Sequence, residues 1–218
     1  MILKIMNLKK IGISLRIVKD PNYGEKRDAI SHDWSQFFEK LNIIPIFIPN
    51  TLSDVSLFLD QFELDGIILS GGDDFGCDIE RDNTEENLLK YGIKKEIPIL
   101  GICRGMQLIN NHFGGKIIKT NDKKHVKLNH PIKIVEDDYS KIFGEKISVN
   151  SFHENIISKE NIGKNLEPFA IFKNDDTIEG FFHTKYSIIG VMWHPEREPN
   201  ENNKLLLQNI FTIINNEK

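Results

Sequence analysis

The chain has 218 residues, 39% of them hydrophobic and 28% charged, with 15 glycines and a mean hydropathy of −0.33. That balance excludes a disordered tail, a coiled coil and a collagen-like fibre, and fits one globular domain over residues 1–218. A formal charge of −4 and a pI of about 6.0 supply no global basic field, which argues against a binder that wraps nucleic acid.

Two cysteines, Cys77 and Cys103, cannot build a disulfide framework, and a reducing cytoplasm is the expected compartment. Residues 1–10 lack a small-residue cleavage site, and no apolar run approaches the roughly 20 residues that span a bilayer, so no membrane partner is expected.

In chain order, Lys10–Leu15 and Ile43–Ile48 are β-branched runs that predict buried strands, and Asp28–Leu41 carries Ile30, Trp34, Phe37, Phe38 and Leu41 on one helical face. Asp65–Ser70 runs into Gly71-Gly72, and Glu96–Gly101 into Ile102-Cys103-Arg104-Gly105, so two further strands end at glycines. Helices are expected over Asp54–Phe62, Glu85–Lys95 and Arg104–Phe113. This alternation predicts an α/β fold, a mostly parallel sheet with helices on both faces and ligands at the carboxyl ends of the strands. Past Gly115 the texture turns hairpin-rich, with short strands expected at Lys116–Lys119, Pro131–Val135, Ile147–Val149, Glu167–Lys173, Ile178–His183 and Ile188–Trp193. A helix over Glu201–Ile214 closes the chain.

Gly101-Ile102-Cys103-Arg104-Gly105 is a Gly-x-nucleophile-x-Gly pattern between a predicted strand and a predicted helix. Such a turn exposes Cys103 at a helix N-terminus, where the helix dipole and a neighbouring imidazolium favour the thiolate. Cys77 lacks this frame and reads as structural. His194-Pro195-Glu196 follows another predicted strand, and residues two apart in extended chain point the same way, so Glu196 can orient His194 as base. The backbone N–H groups of Gly72 and Arg104 are candidate oxyanion donors.

GICRGMQ, a Gly-Gly-Asp loop one strand earlier and WHPE near the end together resemble class I glutamine amidotransferases, and more narrowly their γ-glutamyl hydrolase branch, the peptidase C26-like enzymes. The resemblance implies a flavodoxin-like sheet, Cys103 as nucleophile, His194 as base, Glu196 as its orienter and no cofactor. It also implies that Gln107 contacts the bound glutamyl group, and that Asn150, Ser151, Phe152 and His153 form a loop at its amino-acid end; an ordinary polar turn is the alternative for that tetrapeptide.

RDAISHDW from Arg27, Pro49-Asn50, the Glu80-Arg81-Asp82 triplet, and His125-Val126 with His130-Pro131 are similar to the γ-glutamyl-CDP-amidate hydrolases of capsule phosphoramidate biosynthesis. On that resemblance Arg27, Arg81, His125 and His130 are candidate contacts for a phosphorylated leaving group. The alternative for the two arginines is pairing with nearby Asp28, Glu80 or Asp82. No third ligand stands near His125 and His130 at metal-site spacing, so no metal is expected.

The expected reaction is hydrolysis of a small-molecule γ-glutamyl amide through a glutamyl thioester. A glutaminase subunit that feeds ammonia to a synthetase partner, and a γ-glutamyl-GABA-type hydrolase, share the same motifs and stay open.

Overall fold

The computed structural model describes residues 8–120 and 126–212. Strand β1 (Lys9–Ser14) leads into a hairpin of β2 (Arg16–Lys19) and β3 (Lys26–Ala29), followed by α1 (His32–Leu41), β4 (Ile43–Ile48), α2 (Val55–Leu59), β5 (Gly66–Leu69), α3 (Ile79–Lys95), β6 (Ile99–Ile102) and α4 (Arg104–His112). Then come β7 (Ile118–Lys119), β8 (Val126–Ile134), α5 (Asp137–Phe143), β9 (Lys146–Phe152), β10 (Asn155–Ile156), β11 (Leu166–Phe172), β12 (Thr177–His183), β13 (Ile188–Val191) and α6 (Glu201–Thr212).

Among the described residues the main sheet runs β4-β1-β5-β6-β13-β12-β11-β8-β9. The stretch from β4 to β13 is parallel throughout, and β12, β11, β8 and β9 extend it antiparallel. With β1 between β4 and β5, the parallel part has the flavodoxin-like order, and the antiparallel part is the hairpin-rich region expected from the sequence.

Helices cover both faces. Neighbouring residues of a strand point to opposite sides of a sheet. In β5 a Cβ on Gly66 would collide with the Phe211 ring of α6, whereas Ile67, on the other side, meets Gly92 of α3. Leu41 of α1 lies beside Leu207 and Phe211, which puts α1 on the α6 face. Helix α4 packs against α3 on the opposite face. No helix among the described residues is long and apolar enough to cross a membrane.

Several boundaries differ from the sequence expectation. Residues 26–29 pair with β2, so α1 starts at His32, capped by Ser31, whose hydroxyl accepts from the Asp33 N–H. Strand β4 is an edge strand and leaves Ile44 and Phe47 exposed. Helix α3 begins six residues before Glu85, because its first turns bury Arg81, Asp82 and Glu85 in ion pairs instead of an apolar stripe. Helix α5 had no counterpart in the sequence reading. Asn150, Ser151 and Phe152 belong to β9, not to a loop. Of the closing helix, residues 213 and 214 lie outside the described residues.

Candidate active site

Residues just past the carboxyl ends of β1, β5, β6 and β13, among them Arg16, Ser70, Cys103 and His194, line one cleft. The chain turns at Cys103 with φ 48° and ψ −100°, a conformation that non-glycine residues rarely adopt. Gly105 makes the turn possible, since a Cβ on it would collide with the backbone carbonyl of Leu69 in β5. The Cys103 N–H donates to the Val191 carbonyl at 2.8 Å, which ties the turn to β13.

His194 lies just past β13. Its Nδ1 is 2.8 Å from Glu196 Oε1, both side chains are buried, and the ring borders the same cleft as the Cys103 thiol and interacts with it electrostatically. With Nδ1 on the carboxylate, Nε2 is the nitrogen left for sulfur. Burial disfavours an imidazolium, yet the bonds to Cys103 and Glu196 outweigh it and raise the His194 pKa to about 9. Burial pushes the Cys103 thiol up, and the hydrogen bond and charge of His194, with His153 behind it, bring it below its ordinary value. The pair therefore favours thiolate beside imidazolium.

Asn150 fixes the histidine from behind. Its Oδ1 accepts from the His194 N–H and its Nδ2 donates to the His194 carbonyl, each at 2.8 Å. Gly71 makes room for the ring, because a Cβ there would stand 2.5 Å from His194 Cε1.

Arg81 holds the glycine loop. Its guanidinium donates to the Ser70 and Gly71 carbonyls at 2.9 and 3.0 Å, and its Nε to Glu85 Oε1 at 2.9 Å. Gly72 has φ 152°, and Arg81 occupies the place a Cβ would take. Arg104 pairs with Asp82 and Glu85, and Ser14 Oγ donates to Glu85 at 2.7 Å. Glu85, fully buried, thus braces two arginines and the end of β1.

Two lobes open on either side of Cys103. One, of about 280 Å³, is bounded by Arg16, Trp34, Gly71, His194 and Arg197. The other, of about 450 Å³, is bounded by Asp73, Asp74, Gln107, His153, Glu154 and Asn155. Gly72, Cys103 and Phe152 border both.

The structure brings together Cys103, His194, Glu196, Gly72, Arg104, Gln107, Phe152 and His153, and sends Asn150, Ser151, Arg27, Arg81 and His130 elsewhere. Asn150 faces the His194 backbone, not a lobe; Ser151, on the opposite side of β9, is wholly buried and borders neither. His153 borders the larger lobe, but its Nδ1 bonds the Asn155 carbonyl at 2.9 Å and its Nε2 lies 3.6 Å from Glu179. Burial opposes its charge, and Glu179 raises its pKa nonetheless.

All but one of the expected leaving-group contacts face away from the lobes. Arg27 pairs with Asp20 and Glu25 on the β2–β3 hairpin, at 3.2 and 2.7 Å. Arg81 is buried under the glycine loop. His130 is buried against Phe172, with its Nε2 3.5 Å from Glu179. The remaining candidate, His125, lies outside the described residues. Cys77 is exposed on the rim of the larger lobe, so it is no core residue.

Sequence reasoning missed Arg16 and Arg197. Both carried a signal: one follows the end of β1 and the other follows Glu196, places where this sheet type gathers ligand contacts.

Residues 10–196 match the peptidase C26 family. The chain belongs to it. As a peptidase C26 member it is a hydrolase. It is 35% identical over 211 residues to the gamma-glutamyl-CDP-amidate hydrolase of Campylobacter jejuni, which covers 94% of this chain and 98% of the relative. It is also 32% identical over 199 residues to anthranilate synthase component 2 of Cyanophora paradoxa, covering 86% of this chain and 96% of that one. Among solved structures, a glutamine amidotransferase from Thermotoga maritima superposes with a TM-score of 0.69 at 15% identity, over 94% of this chain and 98% of that one. That likeness shows the class I glutamine amidotransferase fold in this C26 chain.

Proposed function

We propose that the chain hydrolyses the γ-glutamyl amide of a small molecule, with γ-glutamyl-CDP-amidate as substrate, to give L-glutamate and cytidine diphosphoramidate, a donor for capsular polysaccharide modification. The observation that carries the reading is the strained Cys103 turn facing the His194–Glu196 pair at the junction of two lobes. The likeness to the Campylobacter jejuni enzyme along almost the whole chain supports the choice of substrate.

In this mechanism the Cys103 thiolate attacks the γ-carbonyl carbon, forming a C–S bond while the carbonyl electron pair moves onto oxygen. The N–H groups of Gly72 and Arg104 receive that oxyanion. Collapse breaks the C–N bond, and His194 gives its Nε2 proton to the leaving nitrogen. A water then loses a proton to His194 and attacks the thioester; the C–S bond breaks, and glutamate and the thiolate are restored. Glu196 keeps the imidazole oriented and its charged form favourable. Gln107, held by Asn155 Nδ2 at 3.2 Å from its Oε1, borders the larger lobe, which on this reading takes the glutamyl group. The chemistry needs a reduced Cys103, so we place it in the cytoplasm.

The likeness to a component of anthranilate synthase favours a second reading, a glutaminase subunit that hands ammonia to a synthetase. The isolated chain separates the two, because a hydrolase turns over alone and a glutaminase of that kind waits for its partner. Cys103→Ala is expected to lower turnover of γ-glutamyl-CDP-amidate by about 10⁴-fold or more with unchanged circular dichroism, and Glu196→Gln by about ten- to a hundredfold. Substantial activity in the alanine variant would overturn the mechanism.

A further inference from the structure

The two lobes differ in charge and in their access to the acid. The larger has carboxylates of Asp73, Asp74 and Glu154 on its border, a setting for an ammonium group; the smaller holds His194 and two arginines, Arg16 and Arg197. In the proposed reaction the leaving nitrogen must face His194, which borders the smaller lobe and not the larger. The amine side of the scissile bond therefore extends toward Arg16 and Arg197.

We propose that Arg16 and Arg197 form a leaving-group subsite that takes phosphoryl oxygens carried on the scissile nitrogen, as in a nucleoside diphosphate amidate. The assignment rests on the γ-glutamyl hydrolase reading and replaces Arg27, Arg81 and His130, which the fold turns away. Arg16 has a single long pairing, 3.4 Å to both Asp73 oxygens, with both side chains exposed, so a phosphoryl group can displace it. Arg197 stacks over the Phe152 ring at 4.4 Å, which fixes its plane at the lobe wall while leaving its edge free to bond. Its Nε is 3.9 Å from Glu196, whose carboxylate is already committed to His194. Paired guanidinium forks match phosphoryl geometry better than ammonium groups do.

The test uses the full chain, γ-glutamyl-CDP-amidate, the phosphate-free γ-glutamyl-p-nitroanilide, and CDP as a binding probe in calorimetric titration. Arg16→Gln and Arg197→Gln are each expected to lower the ratio of kcat/KM on the amidate to that on the anilide by about ten- to a hundredfold, the range of one charge-assisted contact. Each should weaken CDP binding by a similar factor. Arg27→Gln, on the hairpin, should move neither readout. Taking the ratio removes any general disturbance of His194 through Glu196 in the Arg197 variant. If wild type cleaves the amidate and neither arginine variant moves the ratio, the subsite is overturned and the proposed function stands. If wild type does not cleave the amidate, the proposed substrate fails and the CDP titration still decides: loss of binding in the variants upholds the subsite, and equal or absent binding overturns it.

Discussion

At Cys103 one residue carries a backbone that few side chains tolerate, and its neighbours are chosen around it. The Gly71 Cα lies where any Cβ would press on the His194 ring, so Gly71→Ala is expected to displace the imidazole and lower kcat by about a hundredfold while the protein stays folded; thermal denaturation beside steady-state kinetics checks both halves. Protonation of the pair sets a pH window. On the alkaline side kcat/KM should fall as His194 loses its proton around pH 9, since the leaving nitrogen needs the imidazolium, and on the acid side it should fall as the thiolate takes one up below the ordinary thiol value. Stability follows the same sign. The folded His194 pKa is raised from 6.5 to about 9, so its contribution is complete below about pH 6.5 and is lost as pH rises through about 9. The difference in Tm between wild type and His194→Gln should therefore shrink over that interval; a difference that widens would contradict it. The candidate triad was legible in the sequence because its parts sit in short local patterns, GICRG and WHPE. Asn150 was legible as a site residue but not in its role, because what it bonds is a backbone 44 positions away.

At the scale of elements, the parallel strands and α1 could be read from apolar spacing, because each buries one face on a neighbour. The first turns of α3 resisted that reading for a physical reason: their inward face is charged. Arg81, Asp82 and Glu85 occupy positions an amphipathic pattern reserves for apolar residues, and their partners Arg104, Ser14 and Ser70 come from α4, β1 and the end of β5. Arg81, a candidate ligand contact on the resemblance, is instead the brace of the glycine loop. Asp28 was disguised likewise, since its carboxylate accepts from the Asn50 backbone at 2.9 Å and the Asn50 side chain at 2.6 Å, clamping the end of β3 to the end of β4. A buried charge that loses its partner is costly, so Glu85→Gln should destabilise the fold by about 3–5 kcal/mol by leaving two buried guanidinium groups short of a counter-charge. Urea unfolding measures this, and a change under about 1 kcal/mol would show that Asp82 alone suffices for Arg104.

Across the whole molecule, the flavodoxin-like half supplies Cys103 and the glycine loop, while the antiparallel half supplies Asn150, Phe152 and His153 from β9 and its end. Cys103 sits at their junction with a lobe on each side. An enzyme that uses only the glutamyl lobe treats every γ-glutamyl amide alike, whereas one that draws binding energy from the second lobe accelerates cleavage of conjugates that reach into it. Glutamine leaves as ammonia and never enters the arginine lobe. Its kcat/KM in the isolated chain should therefore lie at least about a hundredfold below that of γ-glutamyl-CDP-amidate, a difference equal to two or more contacts of modest strength. γ-Glutamyl-GABA is a shorter, carboxylated conjugate without a phosphoryl group, and it should fall between the two. Paired steady-state kinetics on the three compounds decides the matter. Glutamine equal to the best conjugate would make the chain a glutaminase awaiting a synthetase, and γ-glutamyl-GABA ahead of the amidate would keep the hydrolase while removing the nucleotide.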